Sequence, residues 1–151
     1  MNEWLERMEF ATQEVFESVL RVRMGRWSTG NGDGASDLTA VISLAGSPSG
    51  VFKIGCSSAS AAHLAMRMLG SGTPESEENA KDALGEVCNM IAGTIKSRLS
   101  RSEDLGKISV PTVISGHDYQ VRTLFHGEKY ELRLNYEGQP VSISIEIQQP
   151  S

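Results

Sequence analysis

The chain has 151 residues and a formal charge of −5 at pH 7. That length suits one domain, residues 1–151, with a core of its own. Scattered Lys and Arg form no basic stripe for a phosphate backbone, and no run approaches the roughly 18 apolar residues of a membrane span, so nucleic-acid binding and membrane insertion are set aside. The start, Met1 to Arg7, is charged and amphipathic, without the apolar stretch of a secretory signal. Cys56 and Cys88 lie in apolar-patterned segments without CxxC spacing, which reads as two buried free thiols in a reducing, cytoplasmic compartment.

The first predicted helix runs from Asn2 to Arg23, with Leu5, Met8, Phe10, Val15, Phe16, Val19 and Leu20 as its apolar stripe. Ser28 to Gly34 is glycine-rich, but it follows a helix and lacks a GK[ST] ending, so it reads as a connector and not a phosphate loop. Strands are expected over Asp37–Leu44 and Gly50–Cys56, joined by the turn-forming Ala45 to Ser49. Ser58 to Leu69 predicts a short helix stopped by Gly70. Thr73 and Pro74 suit the N-cap and first position of a long helix over Glu75–Ser100. The last third predicts strands at Tyr119–His126, Tyr130–Tyr136 and Val141–Ile147. The final two alternate apolar with polar residues, as strands with one wet face do. The fold class expected is α+β: an antiparallel sheet covered by helices on one side.

The long helix carries the informative residues. Leu84, Val87, Cys88, Ile91, Ile95 and Leu99 fall on one face at 3.6 residues per turn. With Leu84 at zero and about 100° per residue, Asp82, Glu86, Asn89 and Gly93 fall at about 140° to 200°, on the opposite face. An acid and an amide three residues apart therefore project outward together. Gly93 on that face, and Gly85 flanking it, cost roughly 1 kcal/mol each relative to alanine, and their missing side chains would let a partner approach the helix backbone. A weak echo of the segment lies at Ala11–Glu17, where Glu14 matches Glu86 but Glu17 stands in place of Asn89.

This arrangement resembles the CheC/CheX/FliY family of chemotaxis phosphatases, and in particular its CheX-like, single-site members. The family pattern of an acidic or Ser residue, then E-x-x-N, then a Pro about twenty-two residues on is matched by Asp82, Glu86, Asn89 and Pro111. The resemblance implies a CheC/CheX-like pseudo-duplicated fold with one long motif-bearing helix. It implies a protein-aspartyl-phosphate phosphatase acting on a phosphorylated CheY-like response regulator. Glu86 and Asn89 would enter the receiver's active site, one anchoring on its Lys and the other orienting the attacking water, with Asp82, Gly85 and Gly93 at the contact. It implies no cofactor of its own, a Mg²⁺ held by the receiver, and a homodimer, for which Val141–Ile147 offers a strand to pair. The alternative is a receiver-binding adaptor or flagellar-switch-like module without turnover.

Other residues point to less. His63, His117 and His126 are dispersed without metal-ligand spacing, so no metal site is expected. Ser57 and Ser58 lack a G-x-S-x-G elbow. Pro111 alone reads as structural, ending a strand or setting a turn.

Overall fold

The computed structural model describes residues 2–27, 36–99, 104–117, 119, 121–122 and 126–148. Two hairpins form the centre of its sheet: β2 (Leu38–Ser47) with β3 (Ser49–Cys56), and β6 (Glu128–Tyr136) with β7 (Gln139–Gln148). β3 pairs antiparallel with β7 and joins them. Short β1 (Gly25–Arg26) extends the sheet beyond β6, while β4 (Asp104–Ile108) and β5 (Thr112–Ser115) pair in succession along β2. The order is β1-β6-β7-β3-β2-β4, with β5 also on β2.

Alternation makes one sheet face apolar. Leu38, Ala40, Ile42 and Leu44 of β2, Phe52 and Ile54 of β3, and Val141, Ile143, Ile145 and Ile147 of β7 are all buried. They share one core with buried residues of α1 (Glu3–Val15), α2 (Ser58–Leu69) and α3 (Glu77–Ser97). This is the α+β class expected from the sequence.

The structure corrects several boundaries. The first helix stops being α-helical at Val15, and Phe16–Leu20 form a π turn closed by the left-handed Arg21 at φ 57°. The wider turn keeps both Phe16 and Leu20 buried, after which Val22 and Met24 alternate inward as extended chain. α3 begins later than expected because Ser76, not Thr73, is its cap: the Ser76 hydroxyl accepts from the Asn79 N–H at 3.3 Å. Glu75 is held outside the helix by its N–H bond to Ala62 O at 3.2 Å. The expected strand over Tyr119–His126 is absent among the described residues of that segment, and residues 118, 120 and 123–125 lie outside the description. The strand partner of β2 comes earlier, in β4 and β5, interrupted around Pro111, which has no N–H for a ladder. The Ser28–Gly34 connector also lies outside the described residues. β7 is hydrogen-bonded on both sides, by β3 and β6, so Val141–Ile147 is not free to pair with a second subunit.

Glycine is required at one point of this edge. Gly106 has φ +61°, and a Cβ there would lie 2.1 Å from the Ala45 carbonyl oxygen, beside the register shift between Ala45 and Ser47. The contact seats β4 against β2 and so holds the edge that borders α3.

Cys56 and Cys88 are free and buried, and burial pushes each thiol up to about 12. Both therefore stay protonated at neutral pH and are poor nucleophiles. A thiol reagent is expected to label neither in the native protein at pH 8 and both in denaturant. The sign of the pH effect follows from linkage. Above the ordinary thiol value of 9.0 the unfolded chain releases protons that the folded chain retains to about 12, so stability falls as pH rises through that window. Rapid labelling of either cysteine in the native state would contradict this burial.

Candidate functional site: the outward face of the long helix

α3 is amphipathic along its whole length. Ala80, Ala83, Leu84, Val87, Cys88, Ile91, Ala92 and Ile95 are buried, whereas Asp82, Glu86, Asn89 and Gly93 are exposed. Glu77 and Glu78 sit in its first turn and Lys96 in its last, each favourable to the helix dipole. The helix rests on β2 and β3, with α1, α2 and the β4–β5 edge around it. On the edge side, the Lys96 ammonium donates to the Gly106 carbonyl. On the α1 side, Arg98 reaches Glu14 at 3.4 Å and lies 4.1 Å over the Phe10 ring. The rod is thus held along both flanks, and its outer stripe is left clear.

Glu86 and Asn89 are separated by about 4.5 Å along the axis and point the same way. Among the described residues neither side chain makes a hydrogen bond or an ion pair with its own chain, and the same holds for Asp82. The echo residues differ in this respect. Glu14 is engaged by Arg98, and Glu17 by Arg23 at 3.1 Å. The complete pair is unengaged, while the incomplete one is tied to cations of its own chain.

The two glycines part company. Gly93 is exposed, with nothing within 4 Å of where a Cβ would stand. Gly85 is buried, and its Cβ position lies 3.4 Å from Val113 Cγ2 and 3.7 Å from Pro111 Cγ. Gly85 is therefore removed from the candidate contact face, because the edge strand of the same chain covers it. The packing also gives Pro111 a place. Its ring lies beside the helix at Gly85, one residue before Glu86, and Pro111 and Val113 both pack there. The Pro spacing is legible in the sequence and its contact is not, since nothing in residues 108–113 announces which helix they touch.

The histidines take structural or surface places. His63 Nδ1 is 2.8 Å from the Tyr136 hydroxyl, and His117 Nδ1 is 3.6 Å from Asp37. Among the described residues no three His, Cys, Asp or Glu side chains converge as a metal site would require, and no helix is long and apolar enough to cross a membrane.

The fold is thus an antiparallel sheet with three helices on its apolar face, and α3 presents an E-x-x-N pair outward. The profile of the chemotaxis phosphatase CheX matches residues 38–145, and the chain belongs to that family. Solved structures agree on the fold. The chemotaxis protein CheX from Desulfovibrio desulfuricans is 20% identical, with 97% of this chain and 100% of that one covered, at a TM-score of 0.83. CheX from Vibrio vulnificus is also 20% identical, with 97% and 100% covered, at 0.81. A third is the CheX-CheY-BeF3-Mg²⁺ complex from Borrelia burgdorferi, 21% identical, with 97% and 99% covered, at 0.77. No sequence among curated proteins matches the chain.

Proposed function

We propose that this protein removes phosphate from the aspartyl phosphate of a CheY-like receiver domain, using Glu86 and Asn89 as its inserted pair. The observation that carries the reading is the exposure of these two side chains, unengaged by the described residues of their own chain, on a helix fixed along both flanks. Membership in a family of chemotaxis phosphatases supports the reaction class, and the Borrelia CheX crystallised with CheY supports the kind of partner.

The chemistry suits an amide. An acyl phosphate is already activated, so the missing component is a water held in line with the phosphorus. The Asn89 amide oxygen accepts a hydrogen bond from that water and its NH₂ donates to a neighbouring oxygen, which fixes the water's direction. An uncharged amide takes no proton at neutral pH, so Asn89 is an orienting group. Glu86, about one turn earlier, pairs with the receiver's active-site Lys in a charge-assisted hydrogen bond that strengthens as the contact excludes water. Asp82 extends the acidic stripe by a further turn. The Mg²⁺ of this reaction belongs to the receiver, where it offsets phosphoryl charge, and this chain supplies no cofactor.

The test is phosphate release from a phosphorylated receiver with Mg²⁺ present. The expected result is release well above the receiver's own rate. Saturable binding of the phosphorylated receiver without acceleration would instead identify an adaptor. A homodimer is part of the proposal, formed through a surface other than β7. Sedimentation at tens of micromolar that shows only monomer would remove it.

A further inference from the structure

The sheet face turned away from the helices carries a polar cleft of about 310 Å³, remote from Glu86 and Asn89. Thr39, Lys53, Arg133, Ser142, Ser144 and Tyr119 contribute to its lining. Strand register accounts for the grouping. Thr39, Gly55, Ser142 and Arg133 face one another across four strands, and Lys53, Ser144 and Glu131 form the next row. Gly55 leaves the first row bare at its centre. A Cβ there would lie 2.6 Å from Ser36 Oγ and 3.3 Å from Thr39 Oγ1, so glycine lets both hydroxyl side chains close in around the floor. Tyr119 completes one wall, its hydroxyl 2.9 Å from Thr39 Oγ1.

Lys53 is the unusual member. Its side chain is only 9% exposed, and its ammonium stands 3.6 Å from Glu146 Oε1, an ion pair beyond hydrogen-bond length. Among the described residues that ammonium makes no hydrogen bond. A buried ammonium has three donors to satisfy, and leaving them unmet is costly. The cleft it lines is where an acceptor would stand. At the wall Lys129 is ion-paired with Glu131 at 2.6 Å and Arg133 adds positive charge, with Glu146 beside Lys53, in a chain whose overall charge is −5.

We propose that this cleft binds a small oxyanion, a carboxylate- or phosphate-bearing molecule. Lys53 donates to the charged group, Arg133 neutralises it from the rim, and the hydroxyls of Thr39, Ser142 and Ser144 meet its remaining oxygens. The site is independent of the receiver contact, being on the opposite side of the sheet.

The experiment is a titration of the isotopically labelled full chain, followed by amide shifts, with inorganic phosphate in one arm and citrate in the other. Saturable shifts confined to residues around 39, 53–55 and 142–144 are expected in at least one arm, and the responding arm identifies the oxyanion class. The double variant Lys53→Gln/Glu146→Gln, which replaces both members of the buried ion pair by amides of similar size, is expected to weaken binding about tenfold or more. Arg133→Gln, on an exposed rim position, is expected to weaken it by less. Shifts that never saturate, that spread over the surface, or that persist at unchanged affinity in the double variant overturn the proposal. If the double variant does not melt cooperatively, Arg133→Gln decides: unchanged affinity there overturns it as well.

Discussion

Asn89→Ala is expected to lower receiver dephosphorylation by about a hundredfold or more, because a reacting water that is no longer aimed loses the advantage of position. Its affinity for the phosphorylated receiver should change little, since in this mechanism the amide acts on the water while Glu86 carries the anchoring pair. Glu86→Ala should differ in kind. Removing a charge-assisted pair with the receiver weakens the complex and slows turnover together. Neither substitution should alter the fold, as both positions lie on the solvent face of α3. Separate measurements of binding and of single-turnover release divide the two roles. Release by both variants at the wild-type rate would reject the mechanism and leave the helix as a solvated surface. Asn89→Asp is an informative companion. It keeps an acceptor for the water but brings a negative charge towards a phosphoryl group, so turnover should remain low.

The outward direction of Glu86 and Asn89 was legible in the sequence because a helix translates spacing into direction without tertiary information. Leu84, Val87, Cys88, Ile91 and Ile95 name the buried face, and the positions of Asp82, Glu86, Asn89 and Gly93 opposite them follow from the period alone. The hairpins β2–β3 and β6–β7 were equally readable from period-two alternation and turn residues. What the sequence concealed depends on contacts between distant segments. Gly85 lies about 100° from Leu84, a direction that is solvent or core according to what packs there, and only β5 decides it. The β4–β5 edge was hidden by Pro111, which reads as a strand breaker yet is tolerated where the ladder is interrupted. The π turn at Phe16–Leu20 leaves the apolar stripe nearly intact, so no pattern in the sequence betrays it. The Lys53–Glu146 pair was invisible because each looks like an ordinary outward residue of its strand. They become neighbours only through the pairing of β3 with β7.

Gly93→Ala is expected to make the protein more stable and the enzyme worse. Nothing in this chain requires glycine there: the position is helical and exposed, and a Cβ would meet no atom within 4 Å. Alanine at an exposed helix interior should therefore stabilise the fold by about 1 kcal/mol, a rise of roughly 2–4 °C in Tm for a domain of this size. If the outward stripe is where a receiver docks, the added methyl stands between two backbones that glycine lets approach, on the turn after Asn89. Affinity and turnover should both fall, and Gly93→Leu should remove most of each. Gly85→Ala is the control. It also replaces an interior helix glycine, but its methyl would face Val113 at an ordinary contact distance of 3.4 Å, inside the protein. It should gain no more stability than Gly93→Ala and leave receiver binding unchanged. A Gly93→Ala variant with the expected rise in Tm and full phosphatase activity would show that the partner does not approach this turn. The docking surface would then have to end at Asn89.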